Sequence, residues 1–271
     1  MADNGPVDSE FYGFEISVDE AAYLIDRIDL GGPLPEVLAL YNPMTNPDLN
    51  QPWNALQIQR LTDRGILTPT GVLPEVATLL RDMARAEETL AIRITPLHIP
   101  DTMLRIAIAR RDNHFVYIAR TRDVVLAQPV PALDWPAAAA AVLNTQLGPA
   151  APAPLAVPLQ LTTDEVKRIA ALPPGTVLDT LIDQGVGEAD ALILNAASRP
   201  TVATEITASC RVNGTTRRGT TAVSVLDTEH GRVIAWPHTG PDQRTWITYA
   251  EGAPHRLQTG VQMLFEQLHH E

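Results

Sequence analysis

Chemistry needs titratable or nucleophilic side chains brought together, and this chain has few: seven histidines, one cysteine and some adjacent carboxylates. His98, His114, His230, His238 and His255 stand singly, while His269 and His270 close the chain beside Glu271. A metal centre draws three or four ligands to one point, so the terminal pair reads as a frayed tail. Glu87 and Glu88 have the types for a general acid and base, but they fall at the end of a predicted helix, where they read as a solvated terminus. Phosphate-cradling glycine loops, HExxH, paired CxxC and a GxSxG elbow are all missing. The lone Cys210 rules out an intramolecular disulfide framework and fits a reducing compartment. No catalytic, cofactor-binding or metal-binding residue is nominated, and the chain is expected not to be an enzyme. An enzyme or small-molecule binder with an unfamiliar site stays open as the alternative.

The elements that would position any site belong to a folded globule. Apolar residues make up 45% of the 271 and aromatic ones 5%, so the core must be mostly aliphatic. No apolar run approaches the roughly 20 residues of a bilayer span. The acidic start "MADNGPVDSE" is unlike a secretory signal, so a cytoplasmic protein is expected, with residues 1–13 disordered. A net charge of −12 opposes nucleic acid and anionic lipid, which need a basic face. Arg105, Arg110, Arg111, Arg120 and Arg122 form a local basic island, readable also as solvated strand edges. "LTDRGILTPTGV" has the cadence of a winged-helix DNA reader, but its later counterpart "LIDQGVGEAD" loses the arginine and gains acid.

Hydrophobic period assigns the elements. "SVDEAAYLIDRI" opens with a capping-box spacing, Ser17 and Glu20, followed by Ala21, Leu24, Ile25 and Ile28 on one helical face. "EVLALY", Glu36 to Tyr41, is short, apolar and bounded by proline, which predicts a buried strand, and a Pro- and Asn-rich loop follows it. Leu56, Ile58 and Leu61 predict a helix ending at Gly65, and Val72, Val76, Leu79, Leu80 and Met83 predict another. From Leu90 the period falls to two: Ile92 and Ile94, Ile106 and Ile108, Val116 and Ile118 mark three strands, with a tight turn near Asp112 and Asn113. Val124 to Leu126 reads as a fourth strand, and "PAAAAAVLNTQL" as a closing helix. Prolines make "GPAAPAPLAVP", Gly148 to Pro158, a semi-rigid extended linker.

The second half echoes the first. "TTDEVKRI" follows "SVDEAAYL" at an offset of 145, "LIDQGV" follows "LTDRGI" at 120, and the hairpins match at 117, placing Ile106 on Val223 and Val116 on Val233. "MLFEQL" then follows "VLNTQL" at 121. The expected fold is α+β with a quasi-twofold internal repeat: residues 14–147 form one half, 148–158 the linker and 159–268 the other half. Two such units would join their antiparallel strands into one central sheet flanked by two helical bundles, leaving part of one sheet face uncovered.

Taken together, "ISVDEAAYLIDRIDLGGPLPEVLAL", "LTDRGIL" with "LPEVATLLRDMA", the hairpin "VLDTEHGRVIAW" and the ending "WITYAEGAPHRLQTGVQMLFEQL" resemble the EspG family of type VII secretion chaperones. The resemblance runs from about Phe14 to Leu268 and lies in the order of motifs rather than in any single one. It implies a cytosolic chaperone, without cofactor, that binds the apolar helical tip of the PPE subunit of a PE/PPE heterodimer in mycobacteria. Self-association into a weak homodimer stays open. The residues nominated for partner contact are His98, Ile99, Met103 and Arg105 in the first half and Arg217, Arg218, His230, Trp236 and Trp246 in the second. Arg and Trp are favoured at such contacts, although the tryptophans equally suit the core and the arginines equally suit strand edges.

Overall fold

The computed structural model describes residues 12–173 and 175–270. The expected disorder of residues 1–13 therefore lies outside the described residues, except at Tyr12 and Gly13.

In chain order the first half comprises β1 (Phe14–Ser17), α1 (Val18–Arg27), a 3-10 turn (Glu36–Leu38), α2 (Pro47–Asp63), β2 (Leu67–Thr68), β3 (Gly71–Val72), α3 (Pro74–Ala84), β4 (Glu88–Pro96), β5 (Leu104–Arg111), β6 (His114–Arg120), β7 (Val124–Val130) and α4 (Trp135–Gln146). The second comprises β8 (Leu159–Thr162), α5 (Thr163–Ala170), α6 (Val177–Asp183), α7 (Glu188–Ala197), β9 (Val202–Val212), β10 (Thr215–Arg218), β11 (Val223–Thr228), β12 (Gly231–Thr239), β13 (Thr245–Glu251) and α8 (Pro254–His270).

One antiparallel sheet runs β1-β7-β6-β5-β4-β9-β11-β12-β13-β8, with β10 alongside the end of β9. The fourth strand read from Val124 is the seven-residue β7. Ile92 of β4 pairs with Ile106 on one side and Ile206 on the other, and Ile206 pairs in turn with Val223. At the two outer edges Ser17 faces Val124 and Thr162 faces Trp246. Both edge strands lead straight into helices with complete capping boxes, Ser17 with Glu20 and Thr162 with Glu165. Each box satisfies two amide donors that a helix start leaves free.

On one face α4 and α8 lie over the β4–β9 seam. Their Trp135, Val142, Leu143, Leu264, Phe265 and Leu268 pack on Ile92, Ile106 and Ile108 from the first half and on Ile206, Val223, Val225 and Trp236 from the second. The rings of Phe115, Trp135 and Phe265 stack in succession at 5.0 and 4.5 Å. This core is continuous across both halves, and each fully buried aliphatic in it contributes about 1.5–3 kcal/mol. On the other face α1, the 3-10 turn and α3 seal β5 to β7, with Leu24, Leu38, Val76, Leu80 and Met83 against Ala107, Ala109, Val116 and Ile118.

Several local expectations are corrected. "EVLALY" is not a strand: it forms the 3-10 turn, ended by Ala39 at φ 48°. Long-range partners decide this, because Arg105 donates to the Val37 carbonyl and Arg120 to those of Leu38 and Ala39. The Pro- and Asn-rich loop is largely helix, since α2 starts at Pro47 behind an Asn46 cap. Proline is preorganised for a first helical position. Leu56 and Ile58 are exposed on α2, which turns Leu61 and Gln57 inward instead, and Val72 belongs to β3.

Glu88 is no solvated terminus: it opens β4, is buried, and accepts hydrogen bonds from the Trp135 indole and pairs with Arg110 at 3.0 Å and His269 at 2.9 Å. His269 is thus tied down rather than frayed. The linker is also tied down, because Ala153 is buried and its amide donates to Arg232. Arg232 in turn donates to Asp227 and to the carbonyls of Leu147 and Gly148. Gly231, at φ 115°, lets the linker approach, since a Cβ there would lie 2.7 Å from the Ala151 carbonyl.

Candidate functional site

The uncovered middle of the sheet offers a surface of mixed character. Over the β4–β9 seam it forms a cleft of about 310 Å3 floored by Thr89, Ala91, Arg93, Thr207 and Ser209 and walled by Pro33–Val37. Arg93 pairs with Glu205 at 3.3 Å, and Arg218 reaches Glu36 at 2.5 Å. Leu34, Met83, Ala84 and Ala86 add apolar surface beside these hydroxyls and ion pairs.

A second opening lies in the second half's helical layer. A groove of about 240 Å3 runs between α5, the α6–α7 hairpin and the sheet, lined by Val166, Ile169, Leu172, Val177, Leu181, Leu194 and Tyr249, with Arg199 at its margin. Its cause is visible in α5. The helix is amphipathic and well capped, yet it buries no residue, whereas α1 buries Glu20 to Leu24. Leu24 is fully buried, while Ile169, 145 positions later, stays half-exposed in the groove. Two prolines and a glycine separate α5 from α6, so the chain turns away before a second long helix can close over it. Hydrogen bonds from the Thr162 backbone and side chain hold the Glu165 carboxyl below its ordinary value, keeping the cap charged. Burial pushes the Tyr249 hydroxyl up, so it stays neutral in the groove.

The β4–β5 loop borders this layer. Leu97 donates to the Thr201 carbonyl, and His98 Nδ1 lies 3.4 Å from the same oxygen, two residues past Arg199. Leu97 and Ile99 at its tip are 56% and 47% exposed, a concentration of apolar surface on an otherwise polar sheet end.

The structure separates the nominated residues. His98, Ile99 and Met103 lie on that loop, and His230 follows Thr228 in the β11–β12 turn at the same end of the sheet. Arg217 and Arg218 lie at the opposite end of β9, paired with Cys210 and Ser209. Arg105 is engaged with Val37, and Arg217 donates to the Leu268 carbonyl, capping α8. Trp236 is buried in the core shared by the halves and presents no surface. Trp246, half-exposed, donates to Asp242 within its own hairpin. Of the basic island, Arg110 pairs with Glu88 and Arg111 with Asp82, while Arg122 is exposed. The groove itself escaped sequence reasoning: the amphipathic pattern of "TTDEVKRI" was legible, but its lack of a covering helix is a tertiary fact. Among the described residues no cluster of His, Cys, Asp and Glu could hold a metal, and no helix is long and apolar enough to cross a membrane.

Comparison with known proteins shows the family and the fold. The chain is 29% identical to the ESX-1 secretion-associated protein EspG1 of Mycobacterium tuberculosis, over 94% of this chain and 87% of that protein. It is 26% identical to the ESX-3 secretion-associated protein EspG3 of the same species, over 92% and 89%. Among solved structures, the Mycobacterium tuberculosis type VII secretion system chaperone EspG5, in complex with a PE25–PPE41 dimer, matches with a TM-score of 0.76 at 18% identity, covering 94% of this chain and 96% of that one. The model of the EspG family matches residues 17–263, and the chain belongs to that family.

Proposed function

We propose that this protein is a cytosolic, non-enzymatic chaperone of a type VII secretion system that takes the apolar helical tip of the PPE subunit of a PE/PPE heterodimer into the groove of its second helical layer. The observation that carries this is the half-open groove beneath α5, at the position where the matching helix α1 is sealed. Masking works through water: each Å2 of apolar surface covered is worth about 25 cal/mol before ordering costs, and a specific interface buries about 1,200–2,000 Å2 in all. The groove alone is smaller than that. The exposed loop with Leu97, His98, Ile99 and Met103 supplies further surface beside it, and His230 lies at the same end. The M. tuberculosis EspG5 complex, in the same fold, supports a PE/PPE dimer as cargo.

The halves, 14–147 and 159–268, read as copies of one unit joined by 148–158. Support comes from the mirrored strand order and from the corresponding registers at Ile106 and Val223 and at Ser17 and Thr162. Co-expression with PE/PPE pairs followed by gel filtration tests the function: at least one pair is expected to co-elute with this chain. Failure of every pair from every type VII system to do so overturns the reading.

A further inference from the structure

We infer that Arg199 and Tyr249 set the specificity of the groove, and that the apolar segment it accepts carries an acidic side chain. The inference rests on the chaperone reading above and adds the chemistry of the cargo to it.

Of the described residues that line the groove, Ser198, Arg199 and Tyr249 alone bring polar side-chain atoms to it. Ser198 is spent within its own turn, donating to the Asn195 carbonyl at 2.6 Å. Arg199 is exposed, and its side chain has no ion pair or hydrogen bond among the described residues. The carboxylates on either side of it in sequence are engaged elsewhere: Asp190 accepts from the Ala156 amide, and Glu205 pairs with Arg93 at 3.3 Å. Asp227, whose carbonyl accepts from Thr201, holds Arg232 at 2.6 Å. The Tyr249 hydroxyl likewise has no hydrogen-bond partner among the described residues. A guanidinium can only donate, and a neutral phenol has one proton to give, so the groove presents donors that its own chain leaves unused.

The first half contains the filled version of this place. Arg85 and Arg199 both stand three residues before a central strand, β4 at Glu88 and β9 at Val202. Arg85 Nε donates to the carbonyl of the buried Leu30 at 2.8 Å, in the segment that follows α1. The segment that follows α5 brings Arg199 no such acceptor. A cation just past the end of α7 also suits the helix dipole, but that role requires no place on an apolar groove. Beside apolar surface, an unpaired guanidinium favours a carboxylate over a neutral group, because charge-assisted hydrogen bonds are the stronger ones, and it disfavours a second cation.

The test uses the full chain and three synthetic helical-hairpin peptides that share a leucine-rich tip and differ at one position beside it: glutamate, glutamine or lysine. Fluorescence anisotropy is expected to rank them in that order, with the glutamate peptide bound about fivefold more tightly than the glutamine one. The gap should shrink at about 500 mM salt. Arg199→Lys should keep the ranking, Arg199→Gln should remove the gap between glutamate and glutamine, and Arg199→Glu should invert the order. None of the three should lower Tm, since the side chain is exposed. Tyr249→Phe should weaken the glutamate peptide about threefold, and unchanged affinity there would remove Tyr249 from the site. Equal binding of the three peptides, preference for lysine, binding of none, or an unchanged ranking in Arg199→Glu would overturn the inference. The chaperone reading fails separately, in the co-elution experiment.

Discussion

The two helical layers on the sheet start from the same local design and end differently. α1 and α5 both leave an edge strand, both carry a Ser/Thr…Glu capping box, and both are amphipathic. In the first half α1 is pressed into a layer with α2 and α3, and five of its residues are buried. In the second, α6 has only seven residues and α7 ten, too little cover for α5, so a matching apolar stripe faces a groove. A strong local helix signal sets secondary structure, but the length of the neighbouring helices decides whether its apolar face becomes core or binding surface.

That contrast can be broken by paired substitutions. Leu24→Ala should cost about 3 kcal/mol in denaturant unfolding, as expected for a fully buried leucine. Its counterpart Ile169→Ala should cost about 1 kcal/mol or less while weakening cargo capture at least about tenfold. Similar stability losses at both sites, with cargo capture unchanged, would erase the distinction between the layers.

Arg217 and Arg218 sharpen it at the far end of β9. Arg217→Ala removes the donor that caps α8 at Leu268 and should cost about 2 kcal/mol. Arg218→Ala breaks an exposed pair with Glu36 and should stay within about 0.5 kcal/mol. Neither change is expected to alter cargo binding, because both residues lie away from the groove. Thermal melts and co-elution read the two effects separately.

The smallest effect concerns the caps. Thr162→Ala should loosen α5 by about 1 kcal/mol, visible as faster amide exchange over Thr163–Ala170. Glu165 is held below its ordinary value mainly by the Thr162 backbone, so its contribution is fully present above the unfolded glutamate value of about 4.3. It fades as pH falls through the lower folded value. Acidification below about pH 4 should therefore lower the protection of α5 amides relative to their intrinsic exchange at the same pH, and Thr162→Ala should weaken that dependence.

Much of the fold was legible in the sequence because its signals are local. Alternation at Ile92 and Ile94, Ile106 and Ile108 and Val116 and Ile118 located β4, β5 and β6, and the capping residues located α1 and α5. Ile106 pairs with Ile92, Val223 with Ile206, and Ile92 with Ile206. What stayed hidden depends on distant partners. "EVLALY" is apolar enough for a strand, and only Arg105 and Arg120, more than sixty residues away, hold it as a 3-10 turn. Glu88 seemed a surface charge because Trp135, Arg110 and His269 converge on it from three elements. The candidate site was half legible: the loop at His98 and Ile99 borders the groove, but Ile169, Leu172 and Leu181 became candidates only once the missing cover above α5 was seen.

Hydrogen exchange on the free chain and on its complex with a co-eluting PE/PPE pair tests the central claim most directly. Cargo should slow exchange in α5, in the α6–α7 hairpin and in the loop from Leu97 to Met103, leaving α1 to α3 as in the free chain. Protection concentrated on α1 to α3, or on the cleft over β4 and β9, would contradict the account.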